Sequence, residues 1–112
     1  MTRYLISFDD GTMIIPDDEL PEVGVAAHRV VQEAKDAGAW VTGGGVIGQS
    51  ASVVDTDGTI TQRPYPDTKA VVGGFSIVEV PSHADALGWA AKFAVACRCA
   101  QEVRELMDDP EV

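Results

Sequence analysis

The spacing of apolar residues along this chain changes period several times, and each change marks an expected element. Arg3 to Phe8 is compact, apolar and rich in β-forming residues, and it stops at the turn signal Asp9-Asp10-Gly11. A strand is expected there. After a loop carrying Met13, Ile14, Ile15 and Pro16, the period lengthens. Val23, Ala27, Val30, Ala34 and Ala37 recur at i, i+4, i+7, i+11 and i+14, one face of a helix that begins near Leu20-Pro21. Gly38 stands where such a helix wants its C-terminal cap. The apolar residues of the preceding loop need cover, from the domain's own flank or from another subunit.

Ala39 to Thr42 reads as a second strand, Ala51 to Asp55 as a third and Thr59 to Thr61 as a fourth. Asp57-Gly58, a strong hairpin dipeptide, joins the last two. Val71 to Val80 is the strongest strand, and Gly73-Gly74 inside it is expected to mark a bulge or a close backbone approach. Ser82-His83-Ala84-Asp85 has capping-box spacing, with Asp in place of the usual Glu. In the helix that follows, Leu87, Ala91, Ala94 and Cys97 are expected against the sheet. Trp89 and Phe93 lie about 150° round from them, on a second apolar face suited to a subunit contact or a pocket wall. Gln101 to Leu106 alternates and closes the series as a strand. The order β-α-β-(β-hairpin)-β-α-β predicts an α+β, ferredoxin-like two-layer sandwich with a mainly antiparallel sheet, in one domain over 1–112.

Composition narrows the function. With 8 basic and 18 acidic side chains in 112 residues, the net charge is −10. That field repels phosphate backbones and anionic lipid surfaces, so neither nucleic acid nor membrane is an expected partner. No apolar run approaches the roughly 18 to 20 residues that span a bilayer, and the first residues lack the apolar core of a secretory signal. A cytoplasmic protein is expected. Cys97 and Cys99 are too close for an ordinary disulfide and too few for structural zinc, so both are expected as free thiols. No metal or cofactor is expected.

Histidine titrates near neutral pH without help, which makes His28 the acid–base candidate and Asp36 its nearest partner by sequence. Eight residues apart on one helix, the two are about 80° out of register, so a direct hydrogen bond between them is not expected. His83, in the first turn of the second helix, reads as a surface histidine. Gly43-Gly44-Gly45-Val46-Ile47-Gly48 formally matches G-x-G-x-x-G, but a strand rather than a helix follows it, which removes the phosphate-binding reading. A sharp bend is expected at these glycines. Tyr65, Asp67 and Lys69 put a phenol, a carboxylate and an ammonium on one connector, and they are the expected ligand contacts.

In their order along the chain, the hairpin, the connector Pro64-Tyr65-Pro66-Asp67-Thr68-Lys69, the break Gly73-Gly74-Phe75, the Ala-rich helix with Trp89 and the ending Glu102-Val103-Arg104 resemble the DGPF-domain branch of the YCII-related superfamily. Gln62-Arg63 stands where that branch has Asp-Gly, and Pro64-Tyr65 where it has Pro-Phe. The resemblance implies a small cytoplasmic homodimer built as a dimeric α/β barrel, with sheets face to face and, in some relatives, a ligand-sized cleft between subunits. One relative is similar to a dehydrochlorinase acting on a chlorinated hydroxyquinol. In the YCII branch a His–Asp pair is proposed as the active site, and counting back from Thr42 its histidine position falls nearer Ala27 than His28. Two functions are then expected in competition. One is a lyase or dehydrochlorinase-like enzyme with a polar aromatic ligand. The other is a non-catalytic dimeric module that binds a metabolite or a partner.

Overall fold

The computed structural model describes residues 1–48, 50–63 and 72–112. In chain order these form β1 (Thr2–Asp9), a 3-10 turn (Asp17–Glu19), α1 (Leu20–Asp36), β2 (Trp40–Gly45), β3 (Ala51–Val54), β4 (Ile60–Arg63), β5 (Val72–Val80), α2 (His83–Cys97) and β6 (Glu102–Glu105). Four strands make one sheet in the order β2-β5-β1-β6, and β3 and β4 pair separately. Each neighbouring pair is antiparallel. Because β1 and β2 both run against β5, they are parallel to each other with β5 between them, which is a split βαβ unit. The unit β5-α2-β6 repeats that arrangement around β1. The result is a mixed α+β fold compatible with the ferredoxin-like sandwich.

Both helices end as their residues dictate. Pro21 occupies the first turn of α1, and Gly38 follows its C-cap at φ +72°, with Ala39 N–H donating to the Ala34 carbonyl at 2.9 Å. At the start of α2 the Ser82 hydroxyl accepts from the Asp85 N–H at 3.2 Å and donates to the Asp85 carboxylate at 2.8 Å. The first bond is the N-cap half of a capping box, while the shorter Asp85 carboxylate returns to the Ser82 hydroxyl rather than to the Ser82 backbone N–H.

The core has two parts. Tyr4, Ile6, Val78 and Val80 on the sheet pack against Ala86 and Ala90 of α2. Val30 of α1 packs with Phe93 and Ala96 of α2, and half-buried Trp89 touches both groups. The sheet-facing stripe of α2 is therefore shifted by one residue from the expected one. Leu87 is 47% exposed and Ala86 fully buried. Hydrophobicity alone favours the leucine, but a helix this close to a sheet admits only small side chains at the line of contact.

The glycines also depart from expectation. Gly43, Gly44 and Gly45 do not bend the chain; they are ladder residues of β2, opposite Ser76, Phe75 and Gly74 of β5. A Cβ on Gly43 would lie 2.6 Å from the Phe75 carbonyl oxygen and 2.8 Å from Trp40 Cη2, so the missing side chain is what lets the Trp40 ring sit against the strand. Gly73 and Gly74 do the same for Phe8, whose ring atoms lie 2.6–2.9 Å from where their Cβ atoms would be. The register also slips between Phe8 and Asp9, so the Gly-Gly pair marks both a bulge and a close approach.

The β3–β4 hairpin stands apart. Its loop is Asp55–Thr59, longer than a two-residue turn, with the Asp55 N–H donating to the Thr59 carbonyl at 2.8 Å. The Thr59 hydroxyl and N–H both donate to the Asp57 carboxylate and hold its pKa below the usual range. The hairpin makes no substantial contact with any other described element. The radius of gyration, 15.6 Å, exceeds the roughly 13 Å of a compact chain this long.

Two substitutions test this packing by urea denaturation. Gly43→Ala, which meets a backbone oxygen and an indole, is expected to lose about 1–3 kcal/mol. Gly45→Ala, whose Cβ meets nothing within 4 Å, is expected to stay within about 1 kcal/mol of the parent. Ser82→Ala removes the cap and is expected to cost about 1 kcal/mol.

Candidate functional site

α1 rests on α2 more than on the sheet. Its buried Val30 meets Phe93 and Ala96, and Glu33 accepts from the Lys92 ammonium at 2.7 Å. Under the remaining face of α1, an open cleft of about 570 Å³ runs between that helix, the C-terminal half of α2 and the β2 and β5 strands. This is within the size range of small-molecule sites. Trp40 and Phe93 stand at its inner wall with ring centroids 6.2 Å apart and planes inclined by 42°. Phe8 and the three glycines of β2 form the sheet side, and Met13 and Leu20 lie at the α1 entrance.

The polar groups of the cleft come from three elements and one connector. His28 and Lys35, seven residues apart, share one line along α1 with Gly24 and Val31. Ser76 comes from β5, Cys97 from the last residue of α2 and Gln101 from just before β6. No carboxylate lines the cleft among the described residues, although the chain carries 18. Burial, and then the neighbouring Cys99 thiol, push the pKa of Cys97 up. Cys99 is raised by burial too, against hydrogen bonds from Thr12 and Gln101 that lower it. Arg98 between them is left-handed at φ +56°, and its guanidinium donates to Glu19 at 3.0 Å, tying the end of α2 to the start of α1. No group of three or more metal-ligating side chains occurs among the described residues, and no described helix is long and apolar enough to cross a membrane.

His28 thus lines the cleft from its exposed rim. Asp36 does not reach it. The Asp36 carboxylate accepts from the Gln32 amide at 2.9 Å, and the structure does not join it to His28. Tyr65, Asp67 and Lys69 lie outside the described residues. His83 is exposed at the start of α2, its ring 5.8 Å from that of Tyr4 and away from the cleft. Of the two aromatics assigned from sequence to a second face of α2, Phe93 does wall a pocket, while half-buried Trp89 packs against both core groups. Lys35, Cys97 and the β2 glycines went unseen as site residues. Only the helical spacing Gly24–His28–Val31–Lys35, one position on from the buried stripe, carried a signal for any of them.

Comparison with known proteins gives a fold and no family. No protein-family profile and no curated protein matches the chain. Among solved structures it is similar to 5-chloro-2-hydroxyhydroquinone dehydrochlorinase from Burkholderia phenoliruptrix AC1100, solved in complex with 2,5-dihydroxybenzoquinone. The TM-score is 0.56 at 15% sequence identity, over 99% of this chain and 98% of that one. At that identity, the fold is what the two proteins share.

Proposed function

We propose that this protein is a small-molecule enzyme of the lyase, dehydrochlorinase-like type, acting on a polar aromatic compound in the cleft beneath α1. The observation that carries the reading is the cleft itself: aromatic walls, a glycine floor and a histidine at the rim. A planar ring fits beside the Trp40 indole and over the bare strand, where side chains on β2 would otherwise obstruct it. His28 is the group suited to take a proton as an anionic leaving group departs with its bonding electrons. Asp36, bonded to Gln32, has no part in this step. Tyr65, Asp67 and Lys69 enter as proposed ligand contacts at the connector. The dehydrochlorinase fold is consistent with this chemistry, and the reading places the chain in the cytoplasm, with the DGPF branch of the YCII-related proteins.

A homodimer belongs to the same proposal. The face of the sheet opposite the helices carries Leu5 directly opposite Ile77, both half-buried, between the exposed ion pairs Arg3–Glu79 and Arg104–Glu102. The hairpin adds Val54 and Ile60, 65% and 68% exposed on strands that an isolated two-stranded ribbon barely sustains in water. Sheet-to-sheet pairing would cover the first patch and give the hairpin a surface to lie on.

Three measurements follow. Chloride release from a chlorinated hydroxyquinol is expected from the parent protein, with His28→Ala lowering kcat by about 10² to 10⁴ at similar KM. Ligand binding without turnover would instead favour the non-catalytic binding module. Alkylation by iodoacetamide, followed by peptide mass mapping, should be slow at Cys97 at neutral pH, because its raised pKa keeps the thiol protonated. The rate should climb as pH rises above the ordinary thiol range, and a bound aromatic should slow Cys97 further. Light scattering at micromolar concentration is expected to give twice the 11.8 kDa chain mass, and a monomer would count against the dimer.

A further inference from the structure

The charge of the cleft is opposite to that of the protein around it. Four of the described basic side chains are ion-paired: Arg3 with Glu79, Lys92 with Glu33, Arg98 with Glu19 and Arg104 with Glu102. Lys35 makes no ion pair among the described residues, and it lines the cleft. The carboxylates nearest to it in sequence are engaged elsewhere, Glu33 with Lys92 and Asp36 with Gln32. An uncommitted ammonium at one end of an apolar cleft without carboxylates is a complement for an anionic oxygen. Lys35 is exposed at that end, and at physiological salt the screening length of about 8 Å mutes the distant acidic surface more than a direct contact with its ammonium.

We infer that Lys35 is a specificity-determining residue that selects aromatic ligands bearing an anionic oxygen, a carboxylate or phenolate, over their neutral counterparts. This rests on the cleft being the ligand site. His28 and Lys35 are about 10 Å apart along the axis of α1, which accommodates one substituted ring with its anion at Lys35 and its far edge near His28. The competing explanation is local. Lys35 lies in the last turn of α1, where the negative end of the helix dipole favours a cation whatever the cleft contains. The two roles differ in what the residue reads: a dipole partner affects stability, whereas an anchor affects the choice between ligands.

The test is isothermal titration with 2,5-dihydroxybenzoate and its neutral isostere 2,5-dihydroxybenzamide, on the parent, Lys35→Gln and Gly45→Val. A Cβ at Gly45 meets nothing within 4 Å, and Gly45 is opposite Gly74 on the helix side of the sheet and lines the cleft, so the branch of a valine there would occupy cleft space. The parent is expected to prefer the benzoate by at least about tenfold, the scale of one charge-assisted hydrogen bond. Added salt should erode that preference. Lys35→Gln should bring the two affinities within about twofold by weakening only the benzoate, and Gly45→Val should weaken both. If the parent binds both equally, or Lys35→Gln keeps the preference while only its melting temperature falls, the anchor is overturned and the cleft stands. If neither compound binds, or Gly45→Val leaves both affinities intact, the cleft reading fails and takes the anchor with it.

Discussion

The Trp40 indole can lie against β2 only because Gly43 has no side chain, and much of the site's geometry follows from that one contact. Seated there, the indole meets Phe93 of α2 at 6.2 Å between centroids, and Phe93 in turn packs on Val30 of α1. The sheet therefore supports α1 mainly through this aromatic pair and α2. On the other half of the sheet, Ala86 and Ala90 bring α2 close to Val78 and Ile6. One helix is near the sheet and the other is held off it, so a cleft opens beneath α1. A larger residue at 43 would displace the indole and, with it, the inner wall.

The same arrangement sets the chemistry. Aromatic rings and bare backbone supply area for a flat ligand, and the polar groups sit at the rim or at the far end. With no carboxylate among the described lining residues, the proposed anionic ligand would meet no like charge in the cleft, although the protein's overall charge is −10. Selection would then be local, over the few ångströms around a single exposed ammonium, where screening is weaker than at the distance of the acidic surface. Cys97, protonated through burial, contributes shape and polarizability rather than a ready thiolate.

Element order and sheet composition were largely legible in the chain, because period and turn chemistry are local properties. The Val23–Ala34 stripe, the Ser82 cap, the Gly38 stop and the Gly-Gly bulge opposite Phe8 all follow from short-range spacing. The stripe of α2 was misplaced by one residue, since Leu87 is the more apolar choice but only Ala86 fits the distance. The β2 glycines read as a bend because nothing local reveals that they pair with Gly74, Phe75 and Ser76 some thirty residues on. For the same reason the cleft was out of reach: it is made by a register, an indole and a helix offset. His28 is legible by its chemistry, Lys35 carries no local signal beyond its helical spacing from His28, and Tyr65, Asp67 and Lys69 lie outside the described residues.

The central claim is that a ligand sits between α1 and β2, in the space that Trp40 and Phe93 hold open. A two-dimensional amide NMR titration with 2,5-dihydroxybenzoate tests it most directly. Saturating shifts are expected at Gly24, His28, Lys35, the β2 glycines, Ser76 and Cys97, together with the Trp40 indole N–H. Shifts confined to the outer face of the sheet around Leu5 and Ile77, or to the β3–β4 hairpin, would contradict it.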